Sequence, residues 1–264
     1  MIPEARDRLP LDATAPPQSF SALLRSSGSE PHWDVTTGTG GVDPPQATTV
    51  LAVRFSGGVV VAGDRRATAG NLIAHRRVQK VFPADSFSAV AISGVAGVAL
   101  ELTRLFQTEL EHYEKIEGRR LSLEGKANHL ASMVRRQLPM AFQGLVVIPL
   151  FAGYEVDTNE GRLYSFDVVG GRYEETDYTA NGSGGRDARL YLRTVYRDDL
   201  TEDEVLDVAV AALVAAAEED TATGGPDLKR GIYPNVVIVD GGGYREIEDD
   251  RVETAARTAM GSPA

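Results

Sequence analysis

Six short stretches of the chain carry residues able to do chemistry. Thr48 opens a run rich in β-branched residues, Thr48 to Phe55. Asp64 follows Gly63 and precedes Arg65 and Arg66, and Lys80 lies in Arg77-Val78-Gln79-Lys80-Val81-Phe82. Ser93-Gly94 ends an apolar run, Ser183 sits inside Gly182-Ser183-Gly184-Gly185, and Asp220 leads into Thr221-Ala222-Thr223-Gly224-Gly225. Hydroxyl, ammonium and carboxylate groups are the parts of nucleophilic and acid–base chemistry. Taken singly, each has an ordinary structural meaning: an Asp at a strand end is a turn residue, a Lys among apolar neighbours snorkels, and an Asp after a helix sits in a loop. Other chemistries lack their residues. The four histidines, His32, His75, His112 and His129, have no metal-ligand spacing and read as surface or cap residues. No G-x-S-x-G elbow is present, and Gly170-Gly171 and the glycines around Ser183 do not follow phosphate-loop patterns, so alone they are turns.

The elements that must position these groups follow from hydrophobic period. Thr48 to Phe55 and Val59 to Ala62, separated by Gly57-Gly58, read as a hairpin, and Phe87 to Ser93 as a third strand. Leu102, Leu105, Phe106, Leu110 and Tyr113 recur at helical spacing from Val95 to about Tyr113; Leu130, Met133, Val134 and Leu138 do so in a second helix, Leu123 to Phe142. Strands are expected at about 145–156, 161–169 and 176–182, then a short helix from Asp187 to Val195. A longer helix, Thr201 to Ala217, opens with the capping box Thr201-Glu202-Asp203-Glu204. Asn235 to Asp240 is a strand, and an amphipathic stretch runs from about 250 to 259. Runs of strands followed by runs of helices argue for antiparallel sheets with segregated helices, not for βαβ alternation.

Composition bounds the function. The chain has 264 residues, 42% of them apolar, which suits one large domain or two small ones. Its net charge of −11 and pI near 4.9 argue against a nucleic-acid or anionic-membrane partner. Cysteine is absent, which excludes disulfides and thiolate metal sites and is compatible with a reducing cytoplasm. No apolar run reaches membrane-spanning length, and the first residues lack a secretory h-region, so a soluble cytoplasmic protein is expected. Residues 1–47 stand apart, holding seven of the 13 prolines. Proline removes donors and fixes φ, so this stretch reads as an irregular leader, with Ser19 to Leu24 as a short docking island.

From Thr48 onward the sequence resembles proteasome β-subunits of the actinobacterial branch. Thr48 to Thr68, Glu109 to Gly118, Gln143 to Tyr154, Gly182 to Gly185 and Asp220 to Pro234 carry the resemblance, and Ser19 to Leu24 resembles its propeptide. In that family an Asp lies 16 and a Lys 32 residues after the nucleophile; counted from Thr48 these are Asp64 and Lys80, whereas Thr49 would give Arg65 and Val81. The resemblance implies a propeptide over 1–47, removed by self-cleavage between Ala47 and Thr48, and a catalytic domain over 48–264. A threonine hydroxyl is a weak nucleophile and needs a base. The α-amine that cleavage would free on Thr48 has a reference pKa of about 7.7–8.0, close to working pH.

The remaining roles are those the resemblance implies. Lys80 would favour deprotonation at Thr48, and Asp64 would keep Lys80 charged and oriented. The Gly94 N–H would face the oxyanion, while Ser183 and Asp220 would hold the amine and the attacking water, supported by Arg66 and Thr223. Ala67, Val78, Ile92, Ala96 and Leu100, with Phe82, would line an apolar substrate pocket favouring cleavage after hydrophobic residues, though as isolated residues they are ordinary core; Thr68, Gly94 and Ala96 would supply backbone contacts to an extended substrate added as a strand. Thr223 stands where serine is common, and Ala47 where glycine is usual, which would slow self-cleavage. The implied fold is α+β, a four-layer αββα sandwich of two antiparallel sheets flanked by helices. Implied partners are proteasome α-subunits, further copies of the chain in heptameric rings (α7β7β7α7), a ring ATPase with its ubiquitin-like tag system, and protein substrates. No metal or cofactor is required. An inactive ring-building subunit would lose the nucleophile or the lysine, which this chain keeps. A simpler two-ring peptidase of the same class fits the long leader and tail helix less well, and a regulatory binding module would not need this set of residues.

Overall fold

The computed structural model describes residues 48–261. The leader and Ala47 lie outside these residues. Two five-stranded antiparallel sheets and one small hairpin carry the chain. The first sheet has the order β10-β1-β2-β11-β12, from β1 (Thr49–Phe55), β2 (Gly58–Gly63), β10 (Tyr178–Gly182), β11 (Asn235–Asp240) and β12 (Gly243–Glu246). The second runs β5-β6-β7-β8-β9, from β5 (Val81–Asp85), β6 (Ser88–Gly94), β7 (Val147–Glu155), β8 (Glu160–Phe166) and β9 (Arg172–Glu175). The hairpin pairs β3 (Ala67–Ala69) with β4 (Leu72–His75). Six helices complete the described residues: α1 (Ala96–Glu117), α2 (Leu123–Arg136), α3 (Leu138–Ala141), α4 (Gly185–Val195), α5 (Glu202–Glu219) and α6 (Asp249–Ala259).

Three buried clusters explain why these sequences became these elements. Leu51, Val53, Val60 and Ala62 of the first sheet meet Val205, Ala209, Leu213 and Val252 of α5 and α6. Their neighbours Val50, Ala52, Val59 and Val61 point the other way, onto Ala89, Ala91, Leu150 and Leu163 of the second sheet. The far face of that sheet, with Val90, Phe151 and Tyr164, packs against Phe106 of α1 and Leu130 of α2. Strands with both faces covered need no polar residue at every second position, which is why β1 and β2 read as near-continuous apolar runs. The α5 capping box forms, with Thr201 and Glu204 exchanging side-chain and backbone bonds.

The structure differs from the sequence expectations in several places. The single helix expected from Leu123 to Phe142 divides at Gln137, beside Pro139, whose ring cannot continue the hydrogen-bond ladder. Leu105 is half exposed on α1, not part of its buried stripe. The strands β3, β4, β5, β9 and β12 are additional to those expected. They are short, β4 is exposed throughout, and β5 carries Pro83 at a sheet edge, where a missing N–H is tolerated.

A buried ion pair locks α2 to the β5–β6 turn. Lys126 Nζ lies 2.5 Å from Asp85 Oδ2, and Asp85 Oδ1 accepts the Phe87 N–H at 3.0 Å and the Ser88 hydroxyl at 2.6 Å. Burial pushes the Asp85 carboxyl up, but the Lys126 ammonium and these donors outweigh it, leaving the group below the ordinary carboxylate range. Lys126→Met should therefore cost the full-length chain about 3–5 kcal/mol, as expected when one member of a buried pair is left alone. A depressed folded-state pKa adds stability that is complete above the unfolded value of about 3.9 and is lost as pH falls through the folded value. Urea midpoints measured between neutral pH and acid check both points: wild type should lose more stability on acidification than Lys126→Met.

Candidate active site

Strand register gathers the chemistry-bearing residues at one end of the first sheet. Thr49 pairs with Gly182 and Val50 with Gly63, and Gly63 pairs in turn with Asn235. The residues just beyond these positions are Thr48, Asp64 and Ser183, so three distant parts of the sequence meet there. Asp64 is fully buried. Its Oδ1 accepts the Thr49 N–H at 2.8 Å and the Lys80 ammonium at 2.6 Å. Its Oδ2 accepts the N–H groups of Arg66 and Gly224, both at 2.9 Å. Lys80, also buried, donates to the Arg66 carbonyl at 2.6 Å. Burial pulls the Lys80 ammonium below its ordinary pKa; Asp64, which pairs with it, opposes this without cancelling it, and Arg66 adds to the lowering.

Thr48 is buried, and its carbonyl accepts the Ser183 N–H at 2.9 Å, with the Ser183 hydroxyl 3.5 Å away. This contact dictates a glycine before Ser183. Gly182 has φ +96°, and a Cβ there would lie 1.8 Å from the Thr48 carbonyl oxygen. Asp220, the C-cap of α5, accepts the Thr223 hydroxyl at 2.6 Å and the Ala222 N–H at 3.0 Å. Burial pushes its carboxyl up, but the hydroxyls of Ser183 and Thr223 and the N–H groups of Ala222 and Thr223 outweigh that and hold it below the ordinary range. Arg66 reaches the same loop through the Thr221 carbonyl at 2.9 Å.

Thr48, Asp64, Lys80, Arg66, Ser183, Asp220 and Thr223 are thus joined by a continuous set of bonds. Gly94 ends β6 with φ +111°, and a Cβ there would sit 2.1 Å from the Val146 carbonyl, so this position too requires glycine. Of the expected substrate-binding residues, Ala67 and Ile92 are buried, while Thr68, Val78, Ala96 and Leu100 are half-buried. Ile92 packs into the cluster facing α1, with Phe82 against it, so core packing already accounts for its burial. A surface cleft of about 730 Å³ lies beside β4 and includes only Val78 of that set; it is an open groove apart from the bonded residues.

Sequence reading does not single out Thr49, Gly182, Gly184 or Gly224 as individual site residues. The glycines are visible only as turns. Thr49 is hidden because a threonine in a β-branched run is an ordinary strand former. Among the histidines, His32 lies outside the described residues, and His75 and His112 are exposed. His129 differs from expectation: it is half-buried on α2, stacked on Phe106 and in contact with Glu109.

The family model for proteasome subunits matches residues 45–227. Among curated relatives, a proteasome subunit beta of Acidimicrobium ferrooxidans is 55% identical over 241 residues, covering 91% of this chain and 88% of the relative. One from Streptomyces griseus is 54% identical, covering 84% and 79%. One from Acidothermus cellulolyticus is 56% identical, covering 81% and 76%.

The two kinds of positive-φ glycine separate experimentally. Gly118, the αL cap of α1, has φ +66° and faces open space, with nothing within 4 Å of where a Cβ would stand, whereas Gly182 faces backbone. Gly118→Ala should cost about 1 kcal/mol, the αL penalty alone. Gly182→Ala should cost several times that and displace the Thr48 carbonyl; urea unfolding of the two variants measures the difference.

Proposed function

The chain belongs to the proteasome subunit family, and from that premise we propose how its site works: Thr48, freed as a new N-terminus, is the nucleophile that cleaves peptide bonds. The protein is a catalytic β-subunit of the bacterial proteasome and a threonine protease. The observation that carries the reading is the Asp64 carboxylate, one oxygen of which binds both the Lys80 ammonium and the N–H of the Thr48–Thr49 peptide. A buried cation is thereby held against the backbone of the proposed nucleophile.

Residues 1–47 form a propeptide, and self-cleavage at Ala47–Thr48 exposes the α-amine. While that nitrogen is still an amide it cannot act as base. The Lys80 ammonium, held by Asp64, places a positive charge beside the Thr48 backbone that favours deprotonation of the hydroxyl in this first cut. In turnover the Thr48 hydroxyl attacks the substrate carbonyl carbon and its proton passes to the amine. The proton is then given to the departing substrate nitrogen, leaving an ester on Thr48. Water hydrolyses the ester and restores the hydroxyl. The Gly94 N–H stabilises the oxyanion, a contribution of about 3 kcal/mol for one such donor. Ser183 and Asp220, with Thr223 and Arg66 behind them, hold the amine and the water.

Ala67, Val78, Ile92, Ala96 and Leu100 favour hydrophobic side chains on the acyl side of the cut, and Thr68 with the adjoining backbone accepts an extended substrate as an added strand. The subunit assembles with proteasome subunits in rings. Heptameric β-rings between α-rings, feeding by a ring ATPase, and tagged or unfolded proteins as substrates complete the proposal, with the cytoplasm as its compartment. Among the described residues no helix is long and apolar enough to cross a membrane.

Intact mass after co-expression with an α-subunit tests the mechanism. The wild-type chain should have the mass of residues 48–264, and Thr48→Ala should retain the leader and lose peptidase activity while rings form. A peptidase-active particle with the full-length chain would sink the mechanism. Lys80→Ala, assayed at neutral pH with a fluorogenic peptide, should lose about 100-fold or more in kcat, the scale of acid–base catalysis.

A further inference from the structure

Thr49 does more than extend β1. Its hydroxyl and that of Thr223 lie 2.6 Å apart, and both residues are buried. The Gly184 N–H points at the Thr49 hydroxyl at 3.0 Å, and Thr223 Oγ1 lies 2.6 Å from Asp220 Oδ2. Proton counting fixes the direction of this chain. An ionised carboxylate only accepts, so the single Thr223 proton belongs to Asp220. The contact between the two hydroxyls must then be served by the Thr49 proton. Thr49 in turn accepts from Gly184. The order is N–H to hydroxyl to hydroxyl to carboxylate, and every proton is committed.

We propose that Thr49 is a positioning residue of the active site, whose hydroxyl sets the orientation of Thr223 and, through it, of the Asp220 carboxylate. The inference rests on the reading of Thr48 as the nucleophile. Two further observations support it over a purely structural role. A Cβ at position 184 would lie 2.7 Å from each of the two hydroxyl oxygens, so the loop closes on the pair only because residue 184 is glycine. And the same residue, Thr49, donates its N–H to Asp64 at 2.8 Å. Thr49 therefore ties the peptide following Thr48 to both carboxylates, to Asp64 by its backbone and to Asp220 through Thr223. Chains of bonds polarise one another, so removing the first hydroxyl weakens the last donor.

The test compares Thr49→Val with Thr49→Ser in particles assembled with the α-subunit, read by steady-state peptide hydrolysis. Valine keeps the shape and the β-branch but removes the donor and leaves the Gly184 N–H without its acceptor. It should lower kcat about tenfold or more, the worth of one hydrogen bond, with KM within about twofold. Serine keeps the hydroxyl and should restore kcat to within about threefold of wild type. Wild-type kcat in Thr49→Val, or equal losses in both variants, would overturn the proposal. If Thr49→Val does not assemble, Thr49→Cys, a weaker donor of similar size, should give an intermediate kcat. A cysteine particle as fast as wild type, or failure of both variants to assemble while serine succeeds, would assign the hydroxyl to folding and overturn the proposal. Thr48→Ala run alongside separates the two readings. Turnover in that control removes the nucleophile itself, whereas a dead control beside an unimpaired Thr49→Val removes only the role of Thr49.

Discussion

The four hydrogen bonds to the Asp64 carboxylate are the constraint on which the site depends. They come from Thr49 at the start of β1, Lys80 ahead of β5, Arg66 ahead of β3 and Gly224 in the loop after α5. A buried carboxylate is costly unless paired and hydrogen-bonded, and here both oxygens are used twice. Because three of the donors are backbone groups, the charge fixes chain paths as well as a side chain. The position of Lys80 follows, since its second bond runs to the carbonyl of Arg66, whose own N–H is held by the same carboxylate.

That constraint can act only because the sheets deliver its partners. Antiparallel register carries Gly63 and Gly182 to either side of the first residues of β1. A slip of one residue would turn Leu51 and Val53 away from α5 and toward the second sheet, and would move Asp64 off Thr49. The three apolar clusters thus enforce the register that the polar site needs. Glycine appears where the backbones come closest, at 182 against the Thr48 carbonyl and at 94 against the Val146 carbonyl. At both places the chain trades local conformational freedom for contact that a side chain would block.

The legible parts of the fold are those with strong local signals. The buried strands β1, β2 and β11 show as β-branched runs, and α5 announces itself through its capping box. The small strands β3, β4 and β9 carry no such pattern because their faces are partly or wholly exposed. The candidate site is legible in a different way. The intervals separating Thr48, Asp64 and Lys80 correspond to no helical or strand period, and only a resemblance to a known family links them. Thr49 escapes because its signal lies in three dimensions: its neighbours Gly184 and Thr223 are far away in sequence and close only through pairing of β1 with β10 and the loop following α5.

The bonded network also bears on the order of events in the proposed mechanism. In the full chain Thr48 is an internal residue whose nitrogen is an amide to Ala47. Yet Asp64 already holds Lys80, Asp220 holds Thr223, and Ser183 holds the Thr48 carbonyl, by bonds that do not involve that nitrogen. On this mechanism cleavage therefore supplies a base and not a geometry. A site assembled in advance needs only one covalent change to become competent, and an amine with a pKa near neutrality is the group that change creates. Lys80 links the two stages: burial lowers the proton affinity of its ammonium, while Asp64 fixes its direction. The same positive charge therefore stands beside Thr48 in both stages, before the amine exists and after it has become the base.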